Sequence, residues 1–207
     1  MIEVKVCGVQ LHETIDQLSR LAVRYVGFVF APSKRQVTPE LASELAAGLP
    51  AAAQRVGVFV DETADEIRRI AEVAGLNVLQ LHGDQTPEFC QQLQATTGLA
   101  VWKSWSVCGD ERDEALGAYV GKIDALLLDN ERGGSGRSFA WEEIPRLRSY
   151  AEATPLFVAG GLHTDNVLEL IQTYRPDGVD VSSGVETVGV KDPEKIASFV
   201  QRVREQR

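Results

Sequence analysis

The sequence predicts one α/β domain over residues 1–207, an eight-stranded parallel barrel of the TIM type. Three observations predict it. Eight short apolar runs recur along the chain, and the segments between them carry helical spacing. The length allows about 26 residues per strand–helix unit, close to the minimum that such a unit needs. An open doubly wound sheet accommodates the same alternation, but the count of eight favours closure. No GxGxxG follows the first run, which weakens the dinucleotide-binding form of the open sheet.

The runs are residues 4–7, 26–30, 56–60, 78–81, 99–103, 125–128, 156–159 and 178–181. Each is too short for a helix, rich in branched side chains, and continuous rather than alternating. That is the pattern of strands covered on both faces. Between them, Ile67, Ile70, Ala71 and Ala74 fall at i, i+3, i+4, i+7, as do Val167, Leu170, Ile171 and Tyr174; Ile196, Phe199, Val200 and Val203 repeat the spacing. Thr38-Pro39, Thr86-Pro87 and Asp192-Pro193 each set a capping side chain before proline at the first helical position. Thr63 and Glu66 have capping-box spacing, and Gly48, Gly75 and Gly98 stand where a left-handed helix stop is expected.

Composition narrows the function classes. Hydrophobic residues make up 44%, charged residues 25% and aromatics 7%, with a single methionine, so the core rests on Val, Leu, Ile and Ala. The net charge of −9 and the lack of a basic run argue against a nucleic-acid partner, while leaving anions that backbone N–H groups can bind. Cys7, Cys90 and Cys108 are odd in number and scattered, which fits neither a disulfide framework nor a CxxC metal pair. Three histidines without a carboxylate cluster make a poor metal set. No secretory leader is visible in the first residues and no apolar stretch approaches 18 residues, so the expectation is a cytoplasmic protein with no membrane partner. Monomer and homodimer are both compatible with the sequence.

In a barrel of this kind the functional residues stand at the C-terminal strand ends and in the loops that follow. Strand seven ends at Gly160-Gly161 and strand eight at Ser182-Ser183-Gly184, which together offer close backbone approach and hydroxyl donors at the usual phosphate site of the fold. A third glycine-rich stretch, 132–136, could cover the site or lend further amides. Cys7 ends strand one; it is a usable proton acceptor where its surroundings favour the thiolate, or else a small core hydrophobe. Asp129 ends strand six after an apolar run. There its carboxyl could act as a general acid, or bind loop amides. Arg35 could fork onto a substrate carboxylate or stay solvated. His82 could reach ligand or serve its own His-Gly turn, Lys103 could pair with substrate or with Asp129, and Asp61 is placed to cap a helix.

These loops carry a resemblance. VKVCGV (4–9), GFVFAPSKR (27–35), VGVFVD (56–61), LQLHGD (79–84), LLLD (126–129), GGSG (133–136), AGGL (159–162) and GVDVSSGVE (178–186) resemble, in order and over nearly the whole chain, the phosphoribosylanthranilate isomerases. The resemblance implies an Amadori rearrangement of N-(5′-phosphoribosyl)anthranilate in tryptophan synthesis, without metal or cofactor. It assigns Asp129 as acid on the ribose ring oxygen and Cys7 as base at C2′. Arg35 would hold the anthranilate carboxylate, and the loops of Gly160, Gly161, Ser182, Ser183 and Gly184 the phosphate; Asp180 and His82 join the substrate-binding set. A related histidine-pathway isomerase would want aspartate in place of Cys7, and indole-glycerol-phosphate synthase more lysines than Lys103. A phosphate-binding regulator would lack the acid or the base. The chain departs from the family's usual wording at Val9-Gln10, at Ala22-Val-Arg-Tyr25 where Gly-Ala-Asp is common, and at Phe139-Ala-Trp141 where Phe-Asp-Trp is common.

Overall fold

The computed structural model describes residues 2–107, 111–130 and 140–205; Cys108, Phe139 and the 132–136 stretch lie outside the described residues. Strands β1 (Glu3–Cys7), β2 (Tyr25–Val29), β3 (Gln54–Phe59), β4 (Val78–Leu81), β5 (Ala100–Ser106), β6 (Ala125–Asp129), β7 (Leu156–Val158) and β8 (Gly178–Val181) pair in chain order, all parallel. β8 returns to β1 and closes the barrel, with Lys5 opposite Asp180. Around it stand α1 (His12–Arg20), α2 (Pro39–Ala46), α3 (Ala64–Ala74), α4 (Pro87–Thr97), α5 (Ile144–Ala151), α6 (Val167–Tyr174) and α7 (Pro193–Arg204). A short antiparallel hairpin, β9 (Glu186–Thr187) and β10 (Val190–Lys191), follows β8.

Local sequence explains most helix starts. Thr38 and Thr86 accept from Leu41 and Phe89 N–H, Asp192 accepts from Glu194 and Lys195 N–H, and Thr63 with Glu66 forms the reciprocal box. Gly75 and Gly98 take the left-handed stop, at φ 60° and 67°. Gly48 does not. α2 runs out through Ala47 in right-handed geometry, and Gly48 is needed for space, since a Cβ there would meet Ile15 at 2.9 Å. Asp61 caps nothing either, because Thr63 occupies that position. α7 buries Ile196, Phe199, Val200 and Val203, each contributing about 1.5–3 kcal/mol of apolar transfer.

Two elements differ from expectation. β5 runs on to Ser106, so Lys103 lies inside the strand rather than at its end, and period-2 alternation turns it outward. Its ammonium donates to Gly83 and Ser104 carbonyls at 2.7 and 2.6 Å, away from Asp129. The segment after β5 is a 3₁₀ stretch, Glu111–Tyr119, in place of an α-helix.

The inward faces form layers. Tyr25, Trp102 and Phe157 interlock with Val56, Val78, Ala125 and Leu127 to plug the N-terminal end, with ring centroids 4.4–5.5 Å apart. Gly178 gives Phe157 its room: a Cβ there would fall 2.2 Å from the ring. Two residues further along the strands the lining turns polar, with Lys5, Gln80, Ser104 and Asp180 all buried. Cys7, His82, Ser106, Asp129 and Ser182 ring the C-terminal mouth. The barrel has a filled core, with a cavity at its C-terminal mouth.

Candidate active site

The mouth holds a cavity of about 420 Å³, within the size range of small-molecule sites. Nine of the ten residues singled out in the sequence line it: Cys7, Arg35, His82 and Asp129 on one arc, Gly160, Gly161, Asp180, Ser182 and Ser183 on the other. Gly184 does not line it. It lies behind the wall, where a Cβ would stand 1.8 Å from the Leu162 carbonyl oxygen, so its bareness lets the loop after β8 cross the loop after β7.

Those two loops make an anion cradle. Gly160 and Gly161 take φ 80° and 69°, and Asn166 fixes the turn by donating to the Gly161 carbonyl at 3.0 Å. Among the described residues the N–H groups of Gly160, Gly161, Ser183 and Gly184 find no acceptor in the protein. Ser182 is less available than its sequence position suggested, because its hydroxyl donates to the Cys7 carbonyl at 3.0 Å and accepts from Lys191. The cradle therefore rests on backbone amides more than on hydroxyls.

Cys7 is buried at the end of β1, with Gly27 beside it; a Cβ on Gly27 would stand 2.8 Å from the sulfur. Burial pushes the thiol up, while Lys5 and Lys191 pull it down. Asp129 stands at the end of β6, three strands from Cys7 by the shorter way round. Burial raises its carboxyl toward the protonated form, opposed by the Asn130 N–H at 2.8 Å. His82 Nε2 lies 3.5 Å from Asp129 Oδ2, and burial followed by the charges of Lys103 and Lys5 drops the imidazole to about 4, so it is neutral at physiological pH.

Arg35 is committed on one edge. Its Nε and Nη2 donate to the two oxygens of Glu186 at 2.6 and 2.9 Å, and Lys191 meets the same carboxylate at 2.8 Å. Burial alone would raise Glu186, but hydrogen bonds from Arg35 and Lys191 carry it down to about 2. The Nη1 edge of the guanidinium remains for a ligand. Gln10, one of the family departures, straps this loop by donating to the carbonyls of Lys34 and Gln36 at 3.3 and 3.4 Å.

Four buried polar side chains in or beside the site escaped the sequence reading: Lys5, Gln80, Glu186 and Lys191. Strand parity could have found two of them, since Lys5 precedes Cys7 and Gln80 precedes His82 by two residues on the same face. Ala140 leaves the 3₁₀ turn 141–143 without a side-chain cap, and Ala22 holds φ 47° where the family commonly has glycine. Among the described residues no cluster of three potential metal ligands occurs, and no helix is long and apolar enough to cross a membrane.

Residues 4–202 match the sequence model of N-(5′-phosphoribosyl)anthranilate (PRA) isomerase. An N-(5′-phosphoribosyl)anthranilate isomerase of Brevibacillus brevis is 47% identical, over 99% of this chain and 94% of its own. The crystal structure of phosphoribosyl anthranilate isomerase from Thermotoga maritima aligns with TM-score 0.88 and 37% identity, over 99% of this chain and 100% of that one. A further phosphoribosyl anthranilate isomerase, solved in complex with reduced 1-(o-carboxyphenylamino)-1-deoxyribulose 5-phosphate, aligns with TM-score 0.86 and 35% identity, over 99% and 100% of the two chains.

Proposed function

The chain belongs to the N-(5′-phosphoribosyl)anthranilate isomerase family, enzymes of tryptophan biosynthesis, and on that premise we propose that Asp129 is its general acid and Cys7 its general base. The observation that supports this reading is that these two groups line one cavity from strands three apart in the barrel, between unpaired amides and a half-free guanidinium.

The substrate is a phosphate, a ribose and a carboxyphenyl amine in line, and the cavity offers partners in that order. The phosphate lies on the N–H groups of Gly160, Gly161 and Ser183. The carboxylate meets the Nη1 edge of Arg35. The ligand held by the structural relative carries the same phosphate and carboxyphenyl ends. Asp180, with Oδ1 unpartnered, accepts from a sugar hydroxyl, and neutral His82 adds a hydrogen bond beside Asp129.

Asp129, kept toward its protonated form by burial, gives a proton to the ribose ring oxygen as the C1′–O bond breaks. The nitrogen lone pair forms the C1′=N bond of a cationic Schiff base. Cys7 then takes the proton from C2′, and the C–H electrons form C1′=C2′ while the C=N pair returns to nitrogen. The resulting enolamine tautomerises to the amino-ketone. The substrate's own iminium is the electron sink, so the chemistry is self-contained. Burial works against the base, because it favours the thiol; the iminium and the nearby lysines act in the other direction. All the groups named come from one chain, so the reading holds for a monomer and for a homodimer.

Generating phosphoribosylanthranilate in situ and following its fluorescence tests this. Wild type removes the signal, and Cys7→Ala and Asp129→Asn each lose at least about 10²-fold in rate, the scale of acid–base catalysts. Turnover by Cys7→Ala at the wild-type rate would remove the base from the scheme.

A further inference from the structure

We propose that Lys5 is a positioning residue for proton abstraction: its ammonium, sealed inside the barrel, holds Asp180 by one carboxylate oxygen and supplies the fixed cation against which the Cys7 thiolate forms. The inference rests on the reading of Cys7 as the base.

The sequence sets the geometry. Lys5 and Cys7 are consecutive inward residues of β1, one above the other along the strand. Asp180 is the β8 residue in register with Lys5, and the two side chains meet at 2.7 Å, Nζ to Oδ2. Lys5 is 0% exposed, its ammonium enclosed between the aromatic plug and the cavity floor. Asp180 borders the cavity and its Oδ1 is buried without a partner in the protein, so the lysine satisfies one of the two carboxylate oxygens.

Stability does not account for this pair. Desolvating an ammonium and a carboxylate costs several kcal/mol per ion, and well-packed apolar residues in such a place are often as stable or more so. The neighbouring layer, built from Tyr25, Trp102 and Phe157, shows that this barrel can be filled without charge. What the cation does have is a sulfur above it. Four charged groups reach Cys7: Lys5 on its own strand, Asp180 on β8, Lys191 on β10 and Arg35 after β2. Asp129 and His82 face Lys5 from β6 and β4. Among those that favour the thiolate, Lys5 acts most strongly, by charge and by hydrogen bonding. Lys191 is divided between Ser182 and Glu186, and Arg35 is bound by Glu186.

The test reads the thiol directly. Alkylation of Cys7 by iodoacetamide, followed by peptide mass spectrometry across pH, gives its ionisation in wild type, in Lys5→Met and in Lys5→Met/Asp180→Asn. The double variant removes the pair without leaving a lone buried charge, and so carries the test if the single variant fails to fold. Lys5→Met should move the Cys7 midpoint up by about one pH unit or more, a tenfold loss of thiolate at neutral pH. The double variant, which also removes the Asp180 charge that opposes the thiolate, should move it up by less, and Asp180→Asn alone should move it down. The loss of kcat/KM should shrink toward high pH, where the thiolate is recovered. An unchanged Cys7 midpoint, or a rate loss equal at every pH, would overturn the proposal and leave Lys5 a structural residue. Because alkylation does not depend on turnover, failure of the base assignment itself shows separately, as activity surviving in Cys7→Ala.

Discussion

Adding a single methyl at residue 184 tests the anion cradle without touching a titratable group. In Gly184→Ala the new Cβ would stand 1.8 Å from the Leu162 carbonyl oxygen, where ordinary contact begins near 3.4 Å. One of the two crossing loops must yield by roughly 1.5 Å, since the obstacle is backbone and cannot rotate away. Both carry N–H groups assigned to the phosphate, and a hydrogen bond stretched that far is lost. Each such bond to a charged acceptor contributes about 1.5–3 kcal/mol, so losing one raises KM by about 10- to 150-fold. Steady-state kinetics and competitive inhibition by inorganic phosphate measure it. KM and the phosphate inhibition constant should rise together, with kcat falling less. Unchanged phosphate inhibition in a folded variant would refute the crossing-loop reasoning.

Two other substitutions test the framework. Glu186, at about 2 in the folded protein, lies below its unfolded value of about 4.3, so its stabilisation is complete above that value and is lost as pH falls toward 2. Glu186→Gln should therefore be less stable than wild type at pH 7, by up to about 3 kcal/mol, with the gap closing in acid; urea titrations across pH measure it, and a gap independent of pH would contradict it. Ala22 carries φ 47°, a left-handed conformation that costs a side-chain-bearing residue about 1–2 kcal/mol. Ala22→Gly should gain up to about 1 kcal/mol after the added unfolded-state entropy, raising Tm by about 2–4 °C in calorimetry, whereas an equal or lower Tm would show that the site is unstrained.

What the sequence made legible was local or periodic. Thr38, Thr63, Thr86 and Asp192 cap where they should, because a cap needs only the next three residues. The eight strands and most of the cavity lining followed from short apolar runs and their ends. Lys103 was misplaced because β5 continues through Lys103-Ser-Trp-Ser106, where the apolar run stops but the strand does not. The polar interior was hidden for a different reason. Lys5 meets Asp180 across 175 positions and Arg35 meets Glu186 across 151, and closure of the barrel, not spacing, brings those pairs together. Arg35 looked like a free fork because its partner could not be seen, and the close crossing of two backbones at Gly184 could not be read from one loop alone.

The division of labour between Asp129 and Cys7 is open to one direct measurement. If Asp129 opens the ring and Cys7 acts afterwards, their variants stop at different chemical stages. Phosphoribosylanthranilate mixed with each variant in a single turnover and quenched with borohydride should yield reduced open-chain amine from Cys7→Ala, above the level formed without enzyme. Asp129→Asn should yield none above that level. Equal trapping by both variants, or trapping by Asp129→Asn alone, would contradict the assignment.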